Sequence, residues 1–397
     1  MRSIFFSTPA HGHINPTLPI VRELISQGEE VIYYSTIEFK GKIEATGANF
    51  KDYNLDISGL DPEELTDYAI LYRTLMEASI ALIDQLLPEM KELNPDYIVH
   101  DSLSPWGKYI AKILDIPAIS SISTFALTRP VIFQAEEFRP SIPKLIFEDA
   151  RHLLKGMAVQ YHLGKHYGTG PLDFFDSFTN REKLNIVYTS LELQPYAELF
   201  DDSFTFVGPS ISMEQQELDF SIDTERPVIY ISLGTLLNEN IPFYHTCFTA
   251  FRHMDVLVIL SIGEKIDIRE LGEIPANFIV RNKVPQVEVL KYADLFITHG
   301  GMNSVHEGLY FAVPLIVIPL TNEQRLVARQ VVDNRVGIEL TEVSPELLKE
   351  TSNTVLESPT YSYHAFKMSN ALKDAGGYKR AIQAIQAFKD RFLKEGI

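Results

Sequence analysis

A histidine, two glycines, an asparagine and a serine stand together in His299-Gly300-Gly301-Met302-Asn303-Ser304, between the apolar run 295–298 and a helical pattern over 305–311. In open parallel sheets, ligands bind beyond the carboxyl ends of strands. Two glycines let the backbone approach a ligand, and the N–H groups of a helix start favour an anion. Asn303 and Ser304 add side-chain donors in the first turn, and His299 supplies a further one. By composition and placement this is a cradle for a diphosphate. A plain helix cap is the alternative, but it needs only one small polar residue; the cluster around a Gly-Gly turn favours the cradle. Glu307 lies one turn further on, where a carboxylate accepts from ribose hydroxyls. A second strand-to-glycine start, 229–233 followed by Gly234-Thr235, is a weaker signal of the same kind.

Acid–base chemistry is offered near the N-terminus by Ala10-His11-Gly12-His13-Ile14-Asn15-Pro16. His13 ends up just after the first strand and just before a helix, and imidazole titrates in the range needed to take a proton from a hydroxyl. Asp101 follows the strand 97–100, on the same edge of the same sheet. A carboxylate there fixes the imidazole tautomer and stabilises the imidazolium. The other reading makes His13 a helix-cap ornament and Asp101 a turn residue; these residues alone leave both open. His11 and His13 have no evident third ligand for a metal. His162 and His166 sit at i,i+4, but no Glu follows His162, so a solvated helix face is the better reading. No Asp-X-Asp occurs, so no residue pair is expected to hold a divalent ion against a diphosphate. The first strand is not followed by Gly-X-Gly-X-X-Gly, which argues against a dinucleotide dehydrogenase.

The elements that must position these groups alternate. Strand 3–7 leads to a helix capped by Asn15, starting at Pro16 and ending near Gly28, with Leu18, Val21, Leu24 and Ile25 on one face. Strand 30–35, a short helix to Gly47, a strand around Phe50 and a long helical stretch from Asp61-Pro62 to about Leu93 follow. Strands 97–100 and 118–121 flank a helix from Pro105. The stretch 125–178 breaks the rhythm with many aromatics, and it reads equally as the wall of an apolar ligand pocket or as a helical layer with its own small core. After a polar run, strands recur at 228–233, 256–261, 278–281, 295–298 and 315–318, and 378–395 is helical. The expected class is α/β, two doubly wound parallel-sheet domains in series with a cleft between them. The expected partition is 1–212, a linker at 213–227, 228–377, and a C-terminal helix 378–397 packing back towards the N-terminal domain.

A chain of 397 residues, 45% of them apolar, is long enough for two such cores. Its 53 acidic against 35 basic residues give a formal charge of −18, which disfavours nucleic acid and anionic membrane surfaces as partners. The single cysteine, Cys247, fits a reducing compartment. The apolar run at the N-terminus is too short for a signal segment, and no later run approaches a membrane span. A cytoplasmic protein is expected.

At these residues the chain resembles the GT-B glycosyltransferases of family 1, especially the bacterial macrolide-type UDP-glycosyltransferases. The resemblance runs from His11-Gly12-His13-Ile14-Asn15-Pro16 through Ser232-Leu233-Gly234-Thr235 to Val284-Pro285-Gln286 and Glu323-Gln324. It implies two Rossmann-like domains facing across a cleft, with His13 as general base and Asp101 as its partner. It implies that Gln286 contacts the nucleotide base or ribose, and that Glu307 binds the ribose. His299, Gly301, Asn303 and Ser304 would hold the diphosphate with help from Thr235, and Glu323 and Gln324 would bond the sugar hydroxyls. The implied reaction is metal-independent transfer of a hexose, glucose in first place, from a UDP-α-sugar with inversion. No cofactor is implied; the partners are a nucleotide-sugar donor and a small apolar acceptor such as a macrolide, flavonoid or other phenol. Phe125, Phe133 and Phe138 are the candidate acceptor contacts. Lys283 stands where the family usually has an aromatic that stacks on the base, which opens the alternative of a dTDP-sugar donor. A GT-B nucleotide-sugar epimerase would share the donor cradle and is the other alternative.

Overall fold

The computed structural model describes residues 1–54, 67–134, 149–170, 172, 174–211, 216–234 and 238–392. The chain divides into Met1–Ser210 with Ala375–Ile397, and Ile211–Asp374. The first unit holds β1 (Arg2–Phe6), β2 (Glu30–Ser35), β3 (Asn49–Asp52), β4 (Tyr97–Asp101), β5 (Ala118–Ile122), β6 (Leu184–Val187) and β7 (Phe204–Phe206). They form a parallel sheet in the order β3-β2-β1-β4-β5-β6-β7. Side chains on a strand alternate between faces. Accordingly Phe5, Tyr33 and Val99 pack into one core with Ile14, Val21 and Leu24, while Ile4, Phe6 and Ile98 join Leu82, Ile83, Trp106 and Ile110 in another. Both faces are thereby covered, which is why the strands read as continuous apolar runs.

The last helix, Gly377–Phe392, belongs to this first unit. Ala381, Ile382, Ile385 and Phe388 enter the core that contains Phe5 and Leu24. The Lys389 ammonium donates to the Glu29 carboxylate, which also accepts from Tyr97 Oη at 2.6 Å. Both charged side chains are nearly buried, so the pair specifies where the helix docks more than it adds stability.

The second unit repeats the plan with β8 (Val228–Ser232), β9 (Leu257–Ser261), β10 (Phe278–Arg281), β11 (Leu295–Thr298), β12 (Leu315–Val317) and β13 (Gly337–Glu339). Their order is β10-β9-β8-β11-β12-β13, all parallel. The aromatic side of its core includes Phe243, Tyr244, Phe248, Phe251 and Phe278. Cys247 is buried there, and burial pushes its thiol far up, so it acts as a small apolar residue.

Two local expectations are corrected. The helix after β1 does not begin at Pro16 under an Asn15 cap. A turn of helix already spans His11–Ile14, with the N–H groups of His13 and Ile14 donating to Ala10 O at 3.0 and 3.1 Å. Pro16 has no N–H to continue that ladder, so Asn15–Thr17 tightens to a 3-10 turn before Leu18–Ser26 resumes. His13 therefore sits within a helix, and Asp101 is the last residue of β4 instead of the one after it. The described part of 125–178 is a helical layer. Helix Ala150–His166 lies on Tyr68–Leu93, Tyr72 Oη donates to Gln160 Oε1 at 2.5 Å, and the Tyr72 ring meets Phe174 edge-on at 4.9 Å. Gly156 sits at this crossing because a Cβ there would lie 2.6 Å from the Tyr72 ring.

Candidate active site

In the first unit the strand order reverses at β1: the chain runs to β2 and β3 on one side, then returns to β4 on the other. Such a switch point leaves a crevice at the carboxyl ends of the two strands. His13 follows β1 and Asp101 ends β4, and the crevice brings them together. His13 Nδ1 and Asp101 Oδ2 are 2.9 Å apart. The Asp101 side chain is 1% exposed and that of His13 13% exposed, so the carboxylate is sheltered while the imidazole keeps an edge to solvent. Asp101 Oδ1 is held by Thr8 Oγ1 at 2.9 Å and by the Leu103 N–H at 2.8 Å. Ser123 Oγ, just beyond β5, is also 2.9 Å from His13 Nδ1. The carboxylate is the stronger acceptor, which selects the Nδ1–H tautomer and puts the basic lone pair on Nε2. His11 is not part of this arrangement: its ring packs edge-on against Phe39 at 4.9 Å, and Nδ1 lies 3.2 Å from Lys42 Nζ.

The second unit has its switch point between β8 and β11. His299 follows β11, and helix Met302–Tyr310 starts after Gly301, whose own side has no side-chain cap. The His299 ring lies between two glycine backbones: a Cβ on Gly234 would be 2.5 Å from its Cε1, and one on Gly301 2.5 Å from its Nε2. Gly234 and Gly300 have φ of +79° and +88°, which L side chains rarely adopt. Gly234 thus serves two purposes, a left-handed turn and room for the imidazole, while Gly300 supplies the left-handed turn after β11 and Gly301 the room beside the ring. Burial pushes the His299 imidazole down to about 4, against a smaller upward pull from the Ser232 backbone, so it is neutral at pH 7.

Gln286, at the start of the helix Gln286–Leu290, reaches the same helix. Its Nε2 donates to Glu307 Oε2 at 2.7 Å and to Ser304 Oγ at 3.4 Å. Burial holds the Glu307 carboxyl above its usual range, with the Gln286 hydrogen bond pulling the other way. Asn303 and Ser304 are both half-buried in the first turn. Glu323 and Gln324 occupy the first turn of helix Asn322–Asp333. There Gln324 Oε1 accepts from the N–H groups of Leu320 and Thr321 at 2.7 and 3.2 Å in a capping box, which fixes the orientation of its amide. Lys283 is exposed, next to Asn282, whose amide donates to Gly263 O and Ile266 O at 2.7 Å each.

The acceptor candidates are not gathered in this way. Phe125 is 2% exposed and packed in the interior, whereas Phe133 is 54% exposed with the Arg129 guanidinium 5.9 Å from its ring centre. Phe138 and Thr235 lie outside the described residues. Sequence reasoning missed Thr8 and Ser123 at the His13 site and Tyr230 behind Gln286. Thr8 and Ser123 had a signal available, since each is a hydroxyl within two residues of a strand's carboxyl end; Tyr230, in the middle of an apolar strand, had none.

The model of the UDP-glucoronosyl and UDP-glucosyl transferase family matches residues 211–377, the span that carries the His299 and Gln286 cluster. The uncharacterized UDP-glucosyltransferase YojK of Bacillus subtilis (strain 168) is 38% identical over 388 residues, covering 95% of this chain and 95% of its own. The chain belongs to the family 1 bacterial UDP-glycosyltransferases. The oleandomycin glycosyltransferase of Streptomyces antibioticus is 29% identical over 395 residues, covering 96% of this chain and 89% of its own. A solved structure described as the glycotransferase of kitacinnamycin superposes with a TM-score of 0.86 at 27% identity, over 97% of this chain and 98% of its own. The fold of this glycosyltransferase is therefore GT-B. None of these relatives is named as an epimerase, and that alternative has no support. Among the described residues, no helix is long and apolar enough to cross a membrane.

The helix Met302–Tyr310 of this UDP-glycosyltransferase also carries His306, 2% exposed, whose imidazole burial pushes down to about 3. An unfolded histidine titrates near 6.5, so below that pH the unfolded chain binds protons that folded His299 and His306 refuse. Stability from these two groups is complete above about 6.5 and falls as pH drops towards 4, by about 1.4 kcal/mol per pH unit for each. Chemical denaturation of the wild type and of His306→Gln at pH 7 and pH 5 measures it. The variant should lose distinctly less stability over that interval; equal losses would show that His306 is not buried neutral.

Proposed function

We propose that this glycosyltransferase moves a hexose, glucose in first place, from a UDP-sugar to a hydroxyl of a small apolar acceptor, with inversion and without a metal. His13 Nε2 takes the acceptor's hydroxyl proton as the oxygen attacks the anomeric carbon from the face opposite the diphosphate. The new bond is carbon–oxygen; the bond to the β-phosphate oxygen breaks, and its electron pair leaves with UDP. Asp101 stabilises the imidazolium that results. The observation that carries this reading is the sheltered 2.9 Å His13–Asp101 pair, a base with its tautomer fixed.

On the donor side, the N-terminus of Met302–Tyr310 with Asn303, Ser304 and His299 meets the negative charge that grows on the leaving diphosphate, the role a divalent ion would otherwise fill. Glu307 and Gln286 present the groups for a ribose, and Glu323 and Gln324 those for the sugar hydroxyls. A ribose contact by Glu307 favours UDP over dTDP, whose sugar lacks the 2′-hydroxyl. The likeness to an enzyme named for oleandomycin supports a bulky apolar acceptor of the macrolide kind, with flavonoids and other phenols in the same class of size and polarity. The reaction is placed in the cytoplasm, in keeping with a single buried thiol.

The configuration of the product tests this reading. Proton NMR of the glycoside formed from UDP-α-glucose in excess chelator should show a β-anomeric proton. An α-glycoside would contradict single displacement, and a strict need for a divalent ion would contradict the role given to the helix N-terminus.

A further inference from the structure

Tyr230 lies in β8, 1% exposed, with its ring stacked on Phe296 at 4.8 Å between centroids and 19° between planes. Its hydroxyl points towards the carboxyl ends of the strands and donates to Gln286 Oε1 at 3.1 Å. One buried phenol therefore joins β8 to the first residue of the helix Gln286–Leu290.

Gln286 has an amide with two unlike ends, and only one assignment suits its surroundings. With Oε1 on the Tyr230 hydroxyl, Nε2 faces Glu307 Oε2 at 2.7 Å and Ser304 Oγ at 3.4 Å. The reverse orientation would turn a carbonyl oxygen towards a carboxylate and leave the half-buried acid without its donor. Such an unpaired acid is costly in a low-dielectric site and takes up a proton more readily. Burial keeps the phenol pKa far above its usual value, so the hydroxyl stays a donor over the whole working range.

We propose that Tyr230 is a positioning residue for donor recognition: by fixing the orientation of the Gln286 amide it keeps the amide N–H on Glu307 and the Glu307 carboxyl aimed at the ribose, and so sets the preference for ribonucleotide over 2′-deoxyribonucleotide donors. This rests on the reading of Gln286 and Glu307 as ribose contacts. The hydroxyl touches neither sugar nor nucleotide in this scheme; it acts through Gln286.

Calorimetric titration of the whole enzyme with UDP and with 2′-deoxy-UDP tests it, for the wild type, Tyr230→Phe, Gln286→Ala and the double variant. Phenylalanine keeps the stack on Phe296 and removes only the hydroxyl. Tyr230→Phe should weaken UDP binding about five-fold, the size of one hydrogen bond, and weaken 2′-deoxy-UDP far less, so the ratio of the two dissociation constants shrinks. The double variant should bind UDP no worse than Gln286→Ala, because the hydroxyl has no other route to the ligand. A Tyr230→Phe enzyme with the wild-type ratio, whatever its melting temperature, would overturn the proposal, as would a loss in the double variant equal to the product of the two single losses. Should Gln286→Ala itself bind UDP as the wild type does, the assignment of the ribose site falls, and the role of Tyr230 with it.

Discussion

Replacing His13 with alanine lowers kcat/KM for transfer by about 10²–10⁴-fold, the usual contribution of a positioned general base, while the dissociation constant for UDP stays within about two-fold of wild type. The first part follows from the Nδ1–H tautomer held by Asp101, which leaves Nε2 as the basic atom. The second follows from where the proposed donor contacts lie: His299, Asn303, Ser304, Glu307 and Gln286 all belong to the unit Ile211–Asp374, and His13 to the other. Initial rates with saturating donor, paired with UDP calorimetry on the same preparation, check both parts. Undiminished turnover would remove His13 from the mechanism. A parallel loss of UDP binding would mean that the substitution disturbs more than the base.

The second large effect is expected from His299→Ala, which should weaken UDP binding by about 10–100-fold, the range for a hydrogen bond to a charged group. Alanine removes the ring that lies between the backbones of Gly234 and Gly301, so both lose the side chain they enclose. Because the imidazole is neutral at pH 7, the loss is of a hydrogen bond and of packing, not of a full positive charge. The effect should therefore change little with salt, unlike the loss of an exposed cation. UDP titrations at low and at physiological ionic strength measure it; an unchanged dissociation constant would count against the cradle.

Much of this arrangement was legible because it depends on short-range rules. A glycine pair after an apolar strand and before a helical period reads as strand-turn-helix, and 295–311 folds as that pattern requires. Asp101 and His13 were legible as residues at the same edge of one parallel sheet, 88 positions apart in sequence but brought within a hydrogen bond by the β1–β4 pairing. What was not legible depends on tertiary packing. Whether the turn at His11–Ile14 is helical is decided by the Ala10 carbonyl, which a reading from Asn15 and Pro16 does not see. The aromatics of 125–178 looked like pocket or core equally well, and only the packing of Ala150–His166 on Tyr68–Leu93 assigns Phe174 and Phe178 to a core with Tyr72. Phe125 is buried and Phe133 exposed for the same kind of reason: aromatic composition marks apolar surface but not what it faces. Tyr230 stayed hidden because a buried tyrosine in a strand looks like any other core residue until the partner of its hydroxyl is known.

The most direct test of the central claim is mass spectrometry of a mixed macrolide and phenol panel incubated with UDP-glucose, the enzyme and excess chelator, alongside the His13→Ala variant. A hexose mass shift on at least one acceptor with the wild type, strongly reduced with the variant, is the predicted result. Absence of any shift across the panel with UDP-sugars and dTDP-sugars alike, or a shift that appears only when a divalent ion is restored, would contradict metal-independent transfer to an apolar hydroxyl.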